Sequence, residues 1–175
     1  MIYIIDHKDS FTHNVVHQFE NFDDVTCDNY NEINESKLKK SKVIVFSPGP
    51  GAPKDYPISS NIYKRFKGKK KIIGICLGFQ QILYCEKGKI IKQKKIFHGY
   101  QSKIKVTGEN SLFKKNRKFN VGRYHSLKLK EPFFAKNFEI TMRCAISNIA
   151  MAIENNNEKI YGFQFHPESF LTENG

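Results

Sequence analysis

Four short apolar runs alternate with amphipathic segments in the first half of the chain, and this alternation restricts the folds that the chain can adopt. The runs are rich in β-branched and aromatic residues, as strands are, and comprise residues 2–5 (IYII), 25–27 (VTC), 43–46 (VIVF) and 72–75 (IIGI). The other segments have helical spacing and comprise residues 11–20, 34–41, 58–67 and 77–87. Ser10 is placed to cap the first helix, and Asn34 or Ser36 the second. Apolar strands separated by helices predict a parallel sheet with helices on both faces.

The second half of the chain has a different pattern. After Gly88 the apolar runs become shorter and alternate with polar residues; they are IIKQKKI, SKIKV, KFNVGRY, FEITM, IAMAI and YGFQF. Such runs predict antiparallel strands added to the parallel sheet. The chain contains no internal repeat and no linker long enough to separate two units. We therefore expect one α/β domain over residues 1–175, with a mostly parallel open sheet, helices on both faces and antiparallel additions.

Composition excludes several classes of protein. The chain has 175 residues, 39% of them hydrophobic, with 15 Phe, which is too apolar for a disordered chain. A mean hydropathy of −0.52 without a long apolar run predicts no membrane span. The opening strand leaves no room for a signal peptide, so we expect a soluble cytoplasmic protein. The four cysteines form no CxxC pair, so neither a metal site nor disulfides are expected.

The formal net charge of +12 raises the question of nucleic-acid binding. Only four of the 29 basic residues are arginine, however, and arginine supplies the bidentate and stacked contacts of most nucleic-acid readers. The lysines are scattered, and Asn and Ile are also abundant, as expected of an A+T-rich genome. We attribute the charge to coding bias and expect no nucleic-acid partner.

The local feature with the clearest chemistry is Gly74-Ile75-Cys76-Leu77-Gly78-Phe79-Gln80, in which an apolar strand runs into a cysteine between glycines and a helix follows at once. Small flanking residues permit the sharp strand–nucleophile–helix turn. The positive end of the helix dipole favours the thiolate of Cys76, and the N–H of Leu77 is available to an oxyanion. The alternative is a buried core cysteine at the end of a strand.

A cysteine nucleophile needs a base and a group that orients the base. His166-Pro167-Glu168 follows the apolar run Tyr161–Phe165. Residues i and i+2 of an extended chain point the same way, so His166 and Glu168 are expected on one side, with Pro167 holding the chain extended. Alternatively, His166 and Glu168 lie on a surface loop. His125 is a rival base.

Residues 47–53 (SPGPGAP) follow the strand VIVF and form a stiff loop of three prolines and two glycines. Such a loop can present backbone N–H groups to a developing oxyanion, and Gly51 is the candidate donor. No GK[ST] follows, so the loop is not a Walker motif. A rigid turn without a catalytic role is the alternative.

Taken together and in this order, these motifs resemble those of the class I (triad) glutamine amidotransferases. Within that family they are similar to the chorismate-linked branch, which includes the glutaminase subunits of anthranilate synthase and aminodeoxychorismate synthase. The motifs are DHKDSFTHN (6–14), SPGPGAP (47–53), GICLGFQ (74–80), GRYHSL (122–127) and HPESFLTENG (166–175). The resemblance covers nearly the whole chain and implies a flavodoxin-like sheet.

The resemblance implies that Cys76 is the nucleophile, that His166 and Glu168 complete the triad, and that Gly51 and Leu77 bind the oxyanion. It also implies contacts to the substrate glutamine, from Gly49, Pro50, Gly51, Gln80, Ser126 and Leu127. Members of this family release ammonia from glutamine through a cysteine thioester and pass it to a larger chorismate-aminating subunit. The resemblance therefore implies a glutamine-hydrolysing subunit of a hetero-oligomer, that of anthranilate synthase in tryptophan biosynthesis, with no cofactor in this chain.

Phe79 departs from the family pattern, because this branch usually carries His there. Two other functions stay open at this point: a non-catalytic regulatory subunit of the same complex, and a cysteine hydrolase that acts alone on other amides. The motifs also do not decide between anthranilate and aminodeoxychorismate synthesis.

Overall fold

The computed structural model describes residues 1–173 and residue 175, so Asn174 of the closing motif lies outside the described residues. In the first half, strands and helices alternate as β1 (Ile2–Asp6), α1 (Thr12–Glu20), β2 (Val25–Asn29), α2 (Glu35–Lys40), β3 (Val43–Phe46), a short 3-10 helix (Pro53–Asp55), α3 (Pro57–Phe66), β4 (Lys71–Ile75) and α4 (Leu77–Cys85). Strands alone follow, as β5 (Lys89–Lys92), β6 (Tyr100–Val106), β7 (Lys118–Arg123), β8 (Leu127–Lys130), β9 (Glu139–Cys144), β10 (Ala150–Asn155) and β11 (Ile160–Phe163).

Nine strands form one sheet in the order β2-β1-β3-β4-β11-β10-β9-β6-β7. The first five of these strands are parallel to one another, and β11, β10, β9, β6 and β7 then pair antiparallel in succession. This arrangement confirms the predicted fold class, a mostly parallel sheet with antiparallel additions. The last strand in sequence, β11, joins the parallel part beside β4.

The prediction was wrong for two strands. β5 pairs with β8 in a separate two-stranded antiparallel sheet rather than extending the large one. The run IIKQKKI is a strand only to Lys92, and the strand β8 was not predicted at all. Both strands are short and rich in lysine, so their apolar residues give little sign of which sheet they join.

Apolar side chains on both faces of the parallel strands are covered by helices. On one face, Tyr3 and Ile5 of β1 pack in a cluster with residues of α2, α3 and α4, such as Leu38, Tyr63 and Ile82. On the other face, Ile2 and Ile4 pack in a cluster with Val15 of α1. A third cluster fills the antiparallel end. None of the helices within the described residues combines the length and apolarity needed to cross a membrane.

The helix ends follow local hydrogen bonding. Ser10 does not cap α1, contrary to the prediction; the Asp9 carboxylate instead accepts the N–H of Phe11. Of the two residues predicted to cap α2, Asn34 does so, by accepting the N–H of Lys37, and Ser36 does not. α4 ends at Cys85, two residues before the predicted end, because Lys87 adopts a left-handed conformation and the Gly88 N–H bonds to the Leu83 carbonyl.

His7 is fully buried where β1 ends, between the ends of the neighbouring strands. Its Nδ1 lies 3.2 Å from the Ser47 hydroxyl oxygen and its Nε2 lies 2.9 Å from that of Ser59. The ring contacts Tyr56 edge to face. Burial lowers the pKa of His7 to about 4, because neither hydroxyl compensates a desolvated imidazolium. His7 therefore connects β1 to the loop that follows β3.

Glycines allow α4 to lie close to the sheet. A Cβ on Gly78 would stand 2.2 Å from the carbonyl oxygen of Phe46, and a Cβ on Gly74 would stand 2.4 Å from that of Gly78. Both neighbours are backbone atoms of packed elements and cannot rotate away. These two positions therefore require glycine so that the Cys76 turn can pack against β3.

We expect Gly78→Ala to lower the free energy of unfolding by about 3 kcal/mol, because the methyl group forces α4 away from β3. Gly68→Ala is the matched control; its Cβ would make only an ordinary van der Waals contact, 3.6 Å from the Glu158 carboxylate, and the positive φ of 72° is unfavourable by about 1 kcal/mol. Urea unfolding of both variants tests the difference. Equal losses of stability would contradict the close packing.

The free energy of unfolding should also decrease as the pH is lowered, because His7 is buried in its neutral form. The unfolded chain binds a proton near pH 6.5 and the folded chain only near pH 4, so folding becomes less favourable as pH falls through this window. The contribution is roughly 3 kcal/mol. His7→Gln should flatten the stability profile between pH 6.5 and 4, whereas His13→Gln, at an exposed position, should leave its slope unchanged. Parallel profiles for the wild type and His7→Gln would refute this assignment.

Candidate functional site

Cys76 occupies a strained turn between β4 and α4. Its backbone has φ 52° and ψ −98°, a region that non-glycine residues rarely adopt, and its side chain is nearly buried. The Cys76 N–H donates to the carbonyl of Phe163 at 2.7 Å, which fixes the turn against β11. The structure thus has the strand–nucleophile–helix geometry that the flanking glycines predict.

The parallel pairing of β4 with β11 brings His166 to this turn. Ile75 is in register with Phe163, so Cys76 and His166 follow neighbouring strands at the same edge of the sheet. His166 Nδ1 lies 2.6 Å from Glu168 Oε1, and both side chains are almost completely buried. The predicted pair therefore forms, but not in an extended chain: the Ser169 N–H bonds to the His166 carbonyl, which closes a turn around Pro167 and Glu168.

The environment of His166 favours its protonated form. Burial opposes the charge, but the negative charge and hydrogen bonding of Cys76 and then of Glu168 outweigh it and raise the pKa of His166. Within residues 1–173 and 175, Nε2 of His166 has no hydrogen-bond partner that meets normal geometry. One ring nitrogen is therefore held by Glu168, and the other is free to exchange a proton with the thiol or a substrate.

Aromatic rings from two other motifs fix the His166 imidazole. The rings of Phe11 and Tyr124 lie 5.1 and 4.9 Å from it, centroid to centroid. Phe11 is in turn positioned by the opening motif, in which the Asp6 carboxylate accepts hydrogen bonds from the Lys8 N–H and the Thr12 hydroxyl. The opening motif therefore acts on the site through packing and not through a reactive group.

The segment after His166 is attached to β7. The Thr172 hydroxyl donates to the His166 carbonyl and accepts the N–H of Gly122. Glu173 accepts hydrogen bonds from the backbone and side-chain amides of Asn120. These bonds hold the turn that carries Glu168, and they give the closing motif a structural role.

The loop of residues 47–53 packs against the residue that follows the nucleophile. A Cβ on Gly49 would lie 2.6 Å from the end of the Leu77 side chain and 2.5 Å from the Cβ of His7, which cannot rotate away, so glycine permits this approach. Gly51 has φ 73°, and the Pro50 carbonyl accepts the Tyr56 hydroxyl. Leu77 begins α4, so its N–H has no acceptor within the helix. The structure thus brings the loop of Gly51 to Leu77, and their roles as oxyanion donors stay predictions.

The residues predicted to bind glutamine occupy different environments. Gln80 is buried and donates to the side chain of Gln164, whose own amide lies 3.7 Å from the Cys76 sulfur. Gln164 was not singled out in the sequence, where it was read only as part of a strand. Ser126 is exposed and Leu127 is half-buried after β7, and neither is hydrogen-bonded to the triad.

His125, the rival base, is held in a neutral form. Its Nε2 accepts from Arg123 Nε at 3.0 Å, and its Nδ1 lies 2.8 Å from the Leu127 carbonyl, to which it donates. Burial, together with the charge of Arg123, lowers the pKa of His125 to about 3. Because both ring nitrogens are engaged, the geometry favours His166 as the base.

Phe79, the departure from the family pattern, is part of the hydrophobic core. It is fully buried and lies where a Cβ on Gly162 of β11 would contact it at 2.9 Å. Its side chain therefore supports the β4–β11 region.

Among the described residues, no group of three or more His, Cys, Asp or Glu side chains is arranged to hold a metal ion.

Comparison with known proteins agrees with this geometry. A family model described as glutamine amidotransferase class-I matches residues 3–175. Anthranilate synthase component 2 of Lactococcus lactis is 40% identical over 177 residues, which cover 100% of this chain and 89% of that protein. The bifunctional protein TrpGD of Thermotoga maritima is 36% identical over 99% of this chain, and the match covers 30% of that protein.

Solved structures show the same fold. A putative component of GMP synthase from Thermoplasma acidophilum gives a TM-score of 0.83 at 21% identity, over 98% of this chain and 86% of that one. A glutamine amidotransferase from Thermotoga maritima gives a TM-score of 0.72 at 17% identity, over 95% and 75% of the two chains. Because the family model matches residues 3–175 and the Lactococcus lactis relative is 40% identical over 89% of its own length, the chain belongs to the class I glutamine amidotransferase family.

Proposed function

We propose that this chain is the glutamine-hydrolysing subunit of an anthranilate synthase and that it supplies ammonia to a larger, chorismate-binding subunit. The observation that carries the proposal is the position of Cys76, on a strained turn beside the buried His166–Glu168 pair. The Lactococcus lactis relative, an anthranilate synthase component 2 that is 40% identical, supports the assignment to anthranilate synthase and so to tryptophan biosynthesis.

In the first step, the Cys76 thiolate attacks the carboxamide carbon of glutamine and forms a C–S bond. The carbonyl oxygen becomes an oxyanion, for which the N–H groups of Leu77 and Gly51 are the proposed donors. His166 carries the proton that leaves the thiol. Glu168 holds the imidazole in the orientation that this transfer needs.

In the second step, the tetrahedral intermediate collapses. The C–N bond breaks as His166 gives its proton to the departing nitrogen, which leaves as ammonia, and a γ-glutamyl thioester remains on Cys76. His166 then removes a proton from water, and the resulting hydroxide attacks the thioester. Glutamate leaves and the thiol is restored. The reaction needs no cofactor in this chain.

The substrate contacts are part of the proposal. Gly49, Pro50 and Gly51 would bind glutamine through the loop after β3, and Ser126 and Leu127 through backbone groups after β7. Gln80 would act from α4, close to Gln164. Proximity of these elements to the edge of the sheet that carries Cys76 supports the assignment.

The larger subunit is proposed to bind at the same edge. Phe170, four residues after His166, is 88% exposed, and an exposed large aromatic side chain beside a catalytic turn is suited to an interface. Ammonia that passes directly to a partner avoids protonation in bulk water.

A cytoplasmic location is also proposed, since a reducing compartment keeps Cys76 as a free thiol.

The alternatives are less well supported. A non-catalytic regulatory subunit would not require an intact triad, so the hydrogen-bonded His166–Glu168 pair beside Cys76 supports the catalytic alternative. A glutaminase subunit of aminodeoxychorismate synthase would use the same chemistry, but the Lactococcus lactis relative is an anthranilate synthase component 2. Reconstitution with each type of large subunit, chorismate and glutamine distinguishes them by the product.

We expect the glutamine analogue 6-diazo-5-oxo-norleucine to label Cys76 stoichiometrically when the chain is bound to its large subunit in the presence of chorismate. Excess glutamine should block labelling. Cys76→Ala should remove both the label and glutamine hydrolysis, the latter by at least about 10³-fold. Cys85→Ala, at the other end of α4, is the control and should label normally. An unlabelled Cys76 in the folded complex would sink the catalytic assignment.

Glu168→Gln should lower kcat by roughly 10²-fold or more with little change in KM for glutamine, because the imidazole loses its orienting carboxylate. The carboxylate also raises the pKa of His166, so its removal should shift the alkaline limb of the kcat profile to lower pH. Glu173→Gln changes a carboxylate in the same segment whose hydrogen bonds, within residues 1–173 and 175, are to Asn120, and should leave that limb in place. A limb that moves equally in both variants would contradict the role of Glu168.

A further inference from the structure

A second candidate binding site lies at the antiparallel end of the molecule, away from the triad. It is a cavity of about 660 Å³, within the range of small-molecule sites. Its walls come from β5, β6, β8 and the segments around Cys144. Six basic side chains line it, and no Asp or Glu does: Lys92, Lys94, Lys95, Lys103, Arg123 and Lys128. The cavity is therefore strongly positive.

Arg123 is the buried member of this set, with only 1% of its surface exposed. Its Nε donates to His125, and its Nη1 has only distant acceptors, the Ser102 hydroxyl at 3.5 Å and the Cys144 sulfur at 3.6 Å. Within residues 1–173 and 175, Nη2 is buried and has no acceptor.

A buried guanidinium normally pairs with a carboxylate. Even the more exposed arginines of this chain are paired in this way, Arg65 with Glu35 and Arg143 with Glu131. Arg123 has no such pair within the described chain, although a buried charged donor without an acceptor is costly. One face of the guanidinium is covered by the Phe97 ring at 3.5 Å. A bound anion would supply the missing acceptor.

The rest of the cavity lining indicates which chemical groups the ligand has besides its negative charge. Ile91, Ile146 and Ile149 are apolar, and Phe97 and Tyr100 present aromatic rings. Inorganic phosphate would leave these walls without contacts. A carboxylic acid with an aromatic or branched apolar group fits both halves of the cavity. Its carboxylate would lie at Arg123 and its apolar group against the aromatic rings.

We propose that this cavity binds a small aromatic or branched-chain carboxylate, whose carboxylate pairs with Nη2 of Arg123. Because Phe97 covers the guanidinium, the irregular segment 93–99 must shift for the ligand to reach it. None of Cys76, His166 and Glu168 lines the cavity, so the site is separate from that of glutamine. Arg123 and His125 connect the two regions through the 3.0 Å hydrogen bond.

Calorimetric titration of the full chain with benzoate at constant ionic strength tests the proposal. Inorganic phosphate supplies the charge without the apolar body, and benzyl alcohol supplies the body without the charge. We expect saturable binding of benzoate, at least tenfold tighter than either comparator. Equal affinity for phosphate, or no saturable binding of benzoate, would overturn the proposal.

Variants locate the site. Arg123→Met should weaken benzoate binding roughly tenfold or more, because a charged hydrogen bond is lost. Lys128→Gln should weaken it a few-fold and keeps the test valid if Arg123→Met does not fold; Lys130→Gln, on the same strand but outside the cavity, should have no effect. Cys76→Ala should bind benzoate normally, and glutamine should not displace it. Equal effects of Lys128→Gln and Lys130→Gln, or displacement by glutamine, would refute the assigned position.

Discussion

The pairing of β4 with β11 is the contact on which the site depends. It joins segments about 90 residues apart and is sealed at its end by the 2.7 Å hydrogen bond from the Cys76 N–H to the Phe163 carbonyl. A register shift of one residue would turn every side chain of β11 to the opposite face and move His166 away from the thiol. Phe79 against Gly162 and the close approach of Gly74 to α4 hold that register from one side of the sheet.

Two buried histidines close to this edge are held in opposite charge states by their neighbours. Burial alone lowers the pKa of both. Glu168 and Cys76 outweigh burial at His166 and raise its pKa, whereas Arg123 adds to burial at His125. The charge of a neighbour, and not the depth of burial, therefore separates a proton carrier from a structural histidine.

The sequence was most informative where a function depends on local geometry. The four apolar strands of the first half and the turn at the glycine-flanked cysteine each have a local pattern, and they form as predicted. Pairings between distant segments have no such pattern. Thus β8 and the separate β5–β8 sheet were not found, and the His166–Glu168 contact formed through a turn and not in an extended chain. Gln164 was missed because its role arises only where β11 meets β4.

Several unfavourable features of the structure lie at the catalytic triad and at the proposed second site. Cys76 has a strained backbone, at a cost of roughly 1–3 kcal/mol. His166 Nε2, Glu168 Oε2 and Arg123 Nη2 are three of the five side-chain atoms that are buried without a partner in the described chain. Three hydrophobic clusters and a continuous sheet compensate for them from outside the site. A glutamine that reacts at Cys76 would give His166 Nε2 a partner, and the proposed carboxylate ligand would do so for Arg123 Nη2, so these groups reduce the stability of the free protein and favour binding.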